Sequence, residues 1–264
     1  MIKQWLASIP FVRPIVIRAL KLVGRDVTLR NPWTGDKMLL NTFKHKGYWF
    51  YGRQRELNTM RMFTALVKPG TLVVEVGGHI GFITQFFSHL VGDAGRVIVF
   101  EPGLNNLHYI SQNISARPNI RMECMAVSDE TGTATFFEDN IGGQNNSLLA
   151  NYRRADATAN SHRLKLTKRR YEVQLTTLDR YVEENKLEPD FLKIDIEGNE
   201  YKALLGARNL LNSIPALMVE VTENHHEVFD LLSNAGFELL DDKREPFDKE
   251  RFGGNVFALR RTRN

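Results

Sequence analysis

At 264 residues, with 42% hydrophobic and 25% charged side chains, the chain is long enough for one substantial α/β domain with an extension. Its composition is too ordinary for a disordered or fibrous protein, and a net charge of +4 with a pI of about 9.1 allows anionic partners without demanding them. One cysteine, Cys124, excludes an intrachain disulfide and a Cys-rich zinc centre, and favours a reducing, cytoplasmic setting.

The first 24 residues are apolar but broken by Lys3, Pro10, Arg13, Pro14, Arg18 and Lys21. A membrane-spanning helix needs about 20 nearly uncharged residues, and there is no small-residue cleavage site after a clean apolar core. Two readings stay open. Residues 1–24 pack as a helix on the rest of the chain or on a second subunit of a homo-oligomer, or they make peripheral membrane contact. In the second reading Trp5, Phe11, Ile15, Ile17 and Leu20 face lipid and the basic residues face headgroups. Residues 1–55 are expected as an N-terminal extension, with short β-prone pieces over Val27–Gly52 forming a lid or side layer. Residues 56–264 are the main domain. Arg53–Val67 carries a helical pattern stopped by Pro69-Gly70.

A strand-helix alternation then sets the fold class. Strands are predicted at Leu72–Val76, Arg96–Phe100 and Ile120–Met125, with helices over Ile80–Val91 and Leu104–Ile114. Further strands are predicted at Phe191–Ile194, Leu217–Val221, Phe237–Leu240 and Asn255–Leu259, with helices over Asn199–Leu211 and His225–Asn234. Such repeats imply a mostly parallel seven-stranded α/β sheet with helices on both faces, its last two strands antiparallel at one edge. Thr133–Glu138 and Tyr171–Thr176 look like strands flanking an irregular stretch. That stretch ends in a basic tract containing Arg153, Arg154, Arg163, Lys165, Lys168, Arg169 and Arg170.

In an open parallel sheet, ligands bind beyond the carboxyl ends of the strands. The turn after the first strand reads Glu75-Val-Gly77-Gly78-His79-Ile-Gly81. Glu101 ends the next strand, where a carboxylate can accept hydrogen bonds from vicinal ribose hydroxyls. A pyrophosphate-binding turn needs G-x-G-x-x-G. Counted from Gly77, the later glycines fall on His79 and Phe82, and counted from Gly78 on Ile80 and Ile83. The spacing is instead acid-x-Gly-x-x-x-Gly. S-adenosylmethionine has no phosphate and carries a cationic sulfonium, which suits a carboxylate at Glu75 beside the loop. Glu75 could equally cap or pair at the sheet edge. Phe82, Pro102, Asn106, Ala126, Val127 and Asp195 complete the expected cofactor-binding set.

These residues, with one further run, resemble the FkbM-type methyltransferase family over roughly Glu56 to Gly236. The most specific part is Leu178-Asp179, then Phe191-Leu-Lys193-Ile-Asp195-Ile-Glu197-Gly198-Asn-Glu200, then Leu205-Gly206-Ala207. Ala126-Val127-Ser128 with Gly132, and Asn146-Ser147-Leu148, are also similar. The resemblance implies a class I, Rossmann-like domain that uses S-adenosylmethionine to methylate a hydroxyl oxygen of a sugar, glycolipid or natural product. His79 departs from the family pattern, where Asn is usual. Its ring could touch the cofactor's carboxylate tail or stand exposed at a helix start. Val221-Thr222 after Glu220 also departs, where an Ile-His pair is usual, which removes one candidate base.

Methyl transfer to a hydroxyl calls for a general base, and Asp195 is the first candidate. Glu197 is the second, although its place at a helix start is favourable on dipole grounds alone. Glu220 could join Asp195 around a divalent cation such as magnesium. His225 could face the substrate or lie on the surface with His226, and Lys193, if buried, needs an acid partner. A nucleic-acid methyltransferase using the basic tract at 153–170 is a weaker alternative, for no aromatic-basic module accompanies it. A non-catalytic cofactor-binding module is the other.

Overall fold

The computed structural model describes residues 20–150, 152, 165–248, 250 and 254–261. Most of the expected N-terminal helix or anchor, and residues 153–164 of the basic tract, lie outside the described residues. Leu22 and Val23 are 87% and 67% exposed, so this end of the N-terminal stretch is not covered by the domain.

Strands β1 (Asp26–Arg30) and β2 (Lys37–Asn41) form an antiparallel hairpin. Lys46–Tyr51 is a helix, α1, where the sequence suggested further small strands. The cause is local. The Asn41 side-chain oxygen accepts the N–H groups of Phe43 and Lys44, both at 3.1 Å, which ends the strand and turns the chain. Helix α2 (Leu57–Leu66) is shorter than the expected Arg53–Val67, because Glu56 before it sits in the left-handed region at φ 52°. The hairpin is tied to the main domain by side chains that act as strand partners. Asn113 accepts from Leu39 N at 2.6 Å and donates to Leu39 O at 3.0 Å, while Gln85 donates to Lys37 O at 3.0 Å.

The main domain continues with β3 (Leu72–Val76), α3 (Phe82–Val91), β4 (Arg96–Phe100), α4 (Leu104–Asn113) and β5 (Ile120–Glu123). Strands β6 (Ala126–Val127), β7 (Gly132–Asp139) and β8 (Lys168–Thr176) form a separate small sheet in the order β6-β8-β7. Then come α5 (Leu178–Glu184), β9 (Phe191–Ile194), α6 (Glu200–Leu205), α7 (Leu210–Ser213), β10 (Ala216–Val221), α8 (His225–Asn234), β11 (Phe237–Leu240) and β12 (Gly254–Arg260). The central sheet has the order β11-β12-β10-β9-β3-β4-β5, parallel from β10 to β5. Strand β12 lies between β10 and β11, antiparallel to both. This is the mostly parallel seven-stranded sheet the alternation implies, in the Rossmann-like form the family resemblance implies.

Side chains alternate across the sheet, so each strand feeds two cores. Val74, Val76, Leu192 and Ile194 pack with Leu204, Leu211 and Leu232 from the helices on one face. Val73 and Phe191 pack on the other face with Phe63, Phe87, Phe257 and the hairpin's Met38 and Leu40. Phe63 and Phe87 meet edge-to-face at 4.8 Å, and each lies 5.9 Å from Phe191. Truncating such a ring costs about 3–5 kcal/mol.

Two further stretches depart from their predicted helices. Helix α3 begins two residues later than Ile80, because His79 (φ 48°) and Gly81 (φ 83°) are both left-handed and carry the chain around a wider turn first. The stretch Asn199–Leu211 is two helices broken at Gly206. A Cβ there would stand 2.1 Å from the carbonyl oxygen of Ser128, so the helix backbone rests directly on the end of β6. Asp179 then restarts the chain as a cap: its carboxylate accepts Asn209 N at 2.9 Å and Leu210 N at 2.8 Å. The Leu178-Asp179 and Leu205-Gly206 motifs are thus two halves of one packing device.

Candidate active site

Beyond the carboxyl ends of β3, β4 and β9 lies a cavity of about 430 Å3, within the size range of small-molecule sites. Its first wall is the turn after β3. Gly77, at φ 92°, must be glycine, since a Cβ would lie 1.9 Å from the carbonyl oxygen of Asp195 on the neighbouring strand end. Gly78 and Gly81 face away from the cavity. A Cβ on Gly78 would strike Val99 at 2.4 Å and Ile110 at 2.7 Å, and one on Gly81 would crowd Ile110 at 3.0 Å. Their smallness therefore lets α4 pack close.

His79 is neither an exposed helix start nor a free ring. Its Nε2 lies 3.0 Å from Gly142 O, which can only accept, so Nε2 carries the proton and Nδ1 accepts from the Tyr48 hydroxyl at 2.9 Å. Burial pushes its pKa down to about 4, keeping the ring neutral. Glu101 stands on the second wall. It accepts N–H groups from His79 at 2.7 Å, Gly103 at 2.8 Å and the Asn106 amide at 3.2 Å. Burial nevertheless raises its carboxyl to about 7.

The loop after β7 forms a third wall. Asp139 gathers the N–H groups of Ile141, Gly142, Gly143 and Asn145 at 2.6–3.2 Å, and Asn106 donates to Gly143 O at 3.1 Å. The irregular stretch is therefore a built loop at its start.

At the far end sit three acids. Carboxylate oxygens of Asp195, Glu197 and Glu220 all lie within 4.8 Å of one another. Glu197 (φ 55°) and Gly198 (φ 101°) form a tight left-handed turn. Buried Glu200 holds it by accepting Gly198 N at 2.9 Å while also taking the Thr222 hydroxyl at 3.0 Å. Burial lifts Glu200 to about 7, and these two hydrogen bonds brace the turn. Ser147 donates to Glu197 O at 2.7 Å, and the Tyr152 hydroxyl donates to the Glu197 carboxylate.

The N-terminal extension closes this end. Tyr48 of α1 lines the cavity, with the Arg55 guanidinium stacked 4.3 Å from its ring centroid and paired to Glu56 at 3.0 Å. Burial works against the Arg55 charge, but Tyr48, Glu56, Asp195 and Glu220 more than offset it, so its pKa is raised.

Of the candidates named from sequence, Gly77, His79, Glu101, Pro102, Asn106, Ala126, Val127, Asp195, Glu197 and Glu220 come together on the cavity wall. Glu75, Gly78, Gly81, Phe82 and His225 do not. Glu75 points into the sheet's interior, fully buried, with the Lys193 ammonium 3.6 Å away, so the reading of it as an acid beside the loop facing the ligand is corrected. Phe82 is core beneath the lid, 4.9 Å from the Tyr48 ring centroid. His225 opens α8 away from the cavity.

A family model for the methyltransferase FkbM domain matches residues 75–239, well over half of the chain. The chain belongs to the FkbM methyltransferase family. It is an S-adenosylmethionine-dependent methyltransferase.

No curated protein matches this FkbM methyltransferase. Among solved structures it is similar to Aeropyrum pernix fibrillarin, crystallised with natively bound S-adenosyl-L-methionine, at 12% identity and TM-score 0.45 over 89% of each chain. An S-adenosylmethionine-dependent O-methyltransferase from Thermotoga maritima is 10% identical at TM-score 0.43, over 80% of this chain and 66% of that one. An rRNA methylase from Streptococcus thermophilus is 13% identical at TM-score 0.42, over 78% and 95%.

Sequence reading missed Tyr48, Arg55 and Glu56 as cavity residues. They lie before the family match, and nothing in their local text marks them. Only the docking of the hairpin and α1 onto α3 brings them to the site. Gly143 to Asn146 were noticed as a Gly-Asn run, but their place on the wall depends on Asp139.

Proposed function

We propose that this FkbM methyltransferase transfers the methyl group of S-adenosylmethionine to a hydroxyl oxygen of a sugar, a glycolipid or a related hydroxylated natural product. The observation that carries this reading is the acidic floor of Asp195, Glu197 and Glu220, with Arg55 above it. Carboxylates and a guanidinium match an acceptor rich in hydroxyl donors and acceptors. At the other end Glu101 accepts the ribose hydroxyls, and the bare backbone at Gly77 allows close approach.

The reaction is an in-line displacement. A lone pair of the acceptor oxygen forms the new C–O bond as the C–S bond breaks, and the sulfur keeps that pair and becomes a neutral thioether. The hydroxyl proton passes to Asp195 as general base. The same three carboxylates are the oxygen donors that a hard divalent cation would use. When bound there, such an ion would lower the pKa of the acceptor hydroxyl. Lys193, 3.2 Å from Asp195, is already a fixed positive charge at the cluster.

A nucleic-acid acceptor is disfavoured by the same floor, where a phosphate would meet three acids. The test is incubation with S-adenosylmethionine and a panel of hydroxylated glycans, glycolipids and RNA, read by the mass gain of one methyl group. Gain on a glycan or glycolipid supports the proposal. Gain on RNA alone overturns it, and cofactor binding with no acceptor anywhere favours a non-catalytic module.

A further inference from the structure

Beneath the cavity floor a charged ladder runs from Asp195 down to two buried groups, Lys193 and Glu75, that take no part in the proton transfer. Strands β3 and β9 pair in parallel register with Glu75 beside Lys193. Two residues on, β9 leads into Asp195 and β3 into Gly77. The period of two puts Glu75, Lys193 and Asp195 on the same face of the sheet. Lys193 is only 3% exposed and Glu75 is fully buried. An ammonium has three N–H donors, and three oxygens surround this one: Gly77 O at 3.2 Å, Asp195 Oδ2 at 3.2 Å and Glu75 Oε1 at 3.6 Å.

Each of the three has a distinct meaning. Gly77 is the turn whose backbone already presses on Asp195, since no Cβ fits between them. Asp195 belongs to the acid cluster. Burial raises the Glu75 carboxyl above its ordinary value, and the Lys193 ammonium 3.6 Å away is the largest of the groups that oppose this, ahead of the Thr84 hydroxyl. Burial of an ion is tolerated only with such compensation.

We propose that Lys193 is a positioning residue of the cofactor site: its buried ammonium locks the Gly77 turn and the Asp195 carboxylate into one fixed geometry, with Glu75 as the counter-ion below. This role of Lys193 lies in cofactor binding and does not depend on which methyl acceptor is used. It assigns different work to the two acids that flank the glycine turn. Glu101 meets the cavity, whereas Glu75 lies below Lys193 and faces its ammonium from inside the sheet. A lysine serves here because a compact ammonium carries three donors on one atom that can meet three separate oxygens, while the planar guanidinium of arginine presents its donors in a fork.

The test separates charge from geometry. Lys193→Arg keeps a cation beside Glu75, so the fold should persist, yet it cannot reproduce the three-way contact. Lys193→Met combined with Glu75→Gln removes both buried charges and so avoids stranding one. Thermal melting reports folding, and calorimetric titration with S-adenosylmethionine and S-adenosylhomocysteine reports the site. Both proteins are expected to bind S-adenosylmethionine roughly tenfold more weakly than wild type, the scale of one lost charge-assisted hydrogen bond. S-adenosylhomocysteine should weaken alongside it, because the turn serves both. If Lys193 only neutralises Glu75, folded Lys193→Arg, or the folded double variant, binds both probes as wild type does. That result would overturn the proposal.

Discussion

The two ends of the cavity are built in different ways. The Glu101 end uses two short stretches, Gly77 to His79 and Glu101 to Asn106, at the tips of adjacent strands β3 and β4. The Asp195 end draws on Tyr48 and Arg55 from the N-terminal extension, Glu197 from a strained turn and Glu220 from the end of β10. In the proposed reading the Glu101 end holds the cofactor and the Asp195 end the acceptor, and a cofactor site written in contiguous text is fixed by the sheet itself. An acceptor site gathered from strand tips and a lid can be varied without disturbing the cofactor, which is how one fold serves many substrates.

Breaking the acceptor end should cost rate more than cofactor affinity. Asp195→Asn is expected to lower kcat by about 10²–10⁴-fold, the usual yield of general-base catalysis. Its calorimetric affinity for S-adenosylmethionine should fall far less. An unchanged kcat removes Asp195 as the base.

The opposite end should show the opposite split. Glu101→Gln is expected to weaken S-adenosylmethionine by about 10–100-fold through lost charge-assisted hydrogen bonds, with the acceptor KM little altered. Wild-type affinity should also depend on pH. Burial pushes the Glu101 carboxyl up to about 7, and the ionised form is the better acceptor of ribose hydroxyls. Affinity therefore rises as pH rises through about 7 and falls by up to about tenfold for each unit below it. Titrations at pH 6, 7 and 8 check this, and a flat profile would remove the ribose role.

Smaller effects sharpen the boundary between the ends. Arg55→Ala should raise the acceptor KM by about tenfold, leaving cofactor affinity within about twofold. His225→Ala should leave both within about twofold, since His225 is off the cavity wall. A large loss in either constant for His225→Ala would redraw the site.

The same contrast explains what could be read in advance. The parallel sheet and the Glu101 wall were legible because strand periodicity and strand-end motifs are local. The Asp195–Glu200 run was legible as a motif, but its logic was not: Glu200 braces the Glu197-Gly198 turn from within the core. Glu75 misled, because a charge four positions into a buried strand looks like a loop acid until its register with Lys193 is known. The break at Gly206 depended on the approach of Ser128, and the lid residues on the docking of α1. Each of these is set by a contact between distant segments, which no window of sequence contains.

The central claim is methyl transfer from S-adenosylmethionine to a hydroxyl oxygen. The most direct measurement uses cofactor carrying a 13C-labelled methyl group with the glycan and glycolipid panel, followed by NMR of the product. The account predicts a labelled methyl carbon coupled through oxygen to a sugar carbon. A label found on nitrogen or carbon, or consumed only in the presence of RNA, would contradict it.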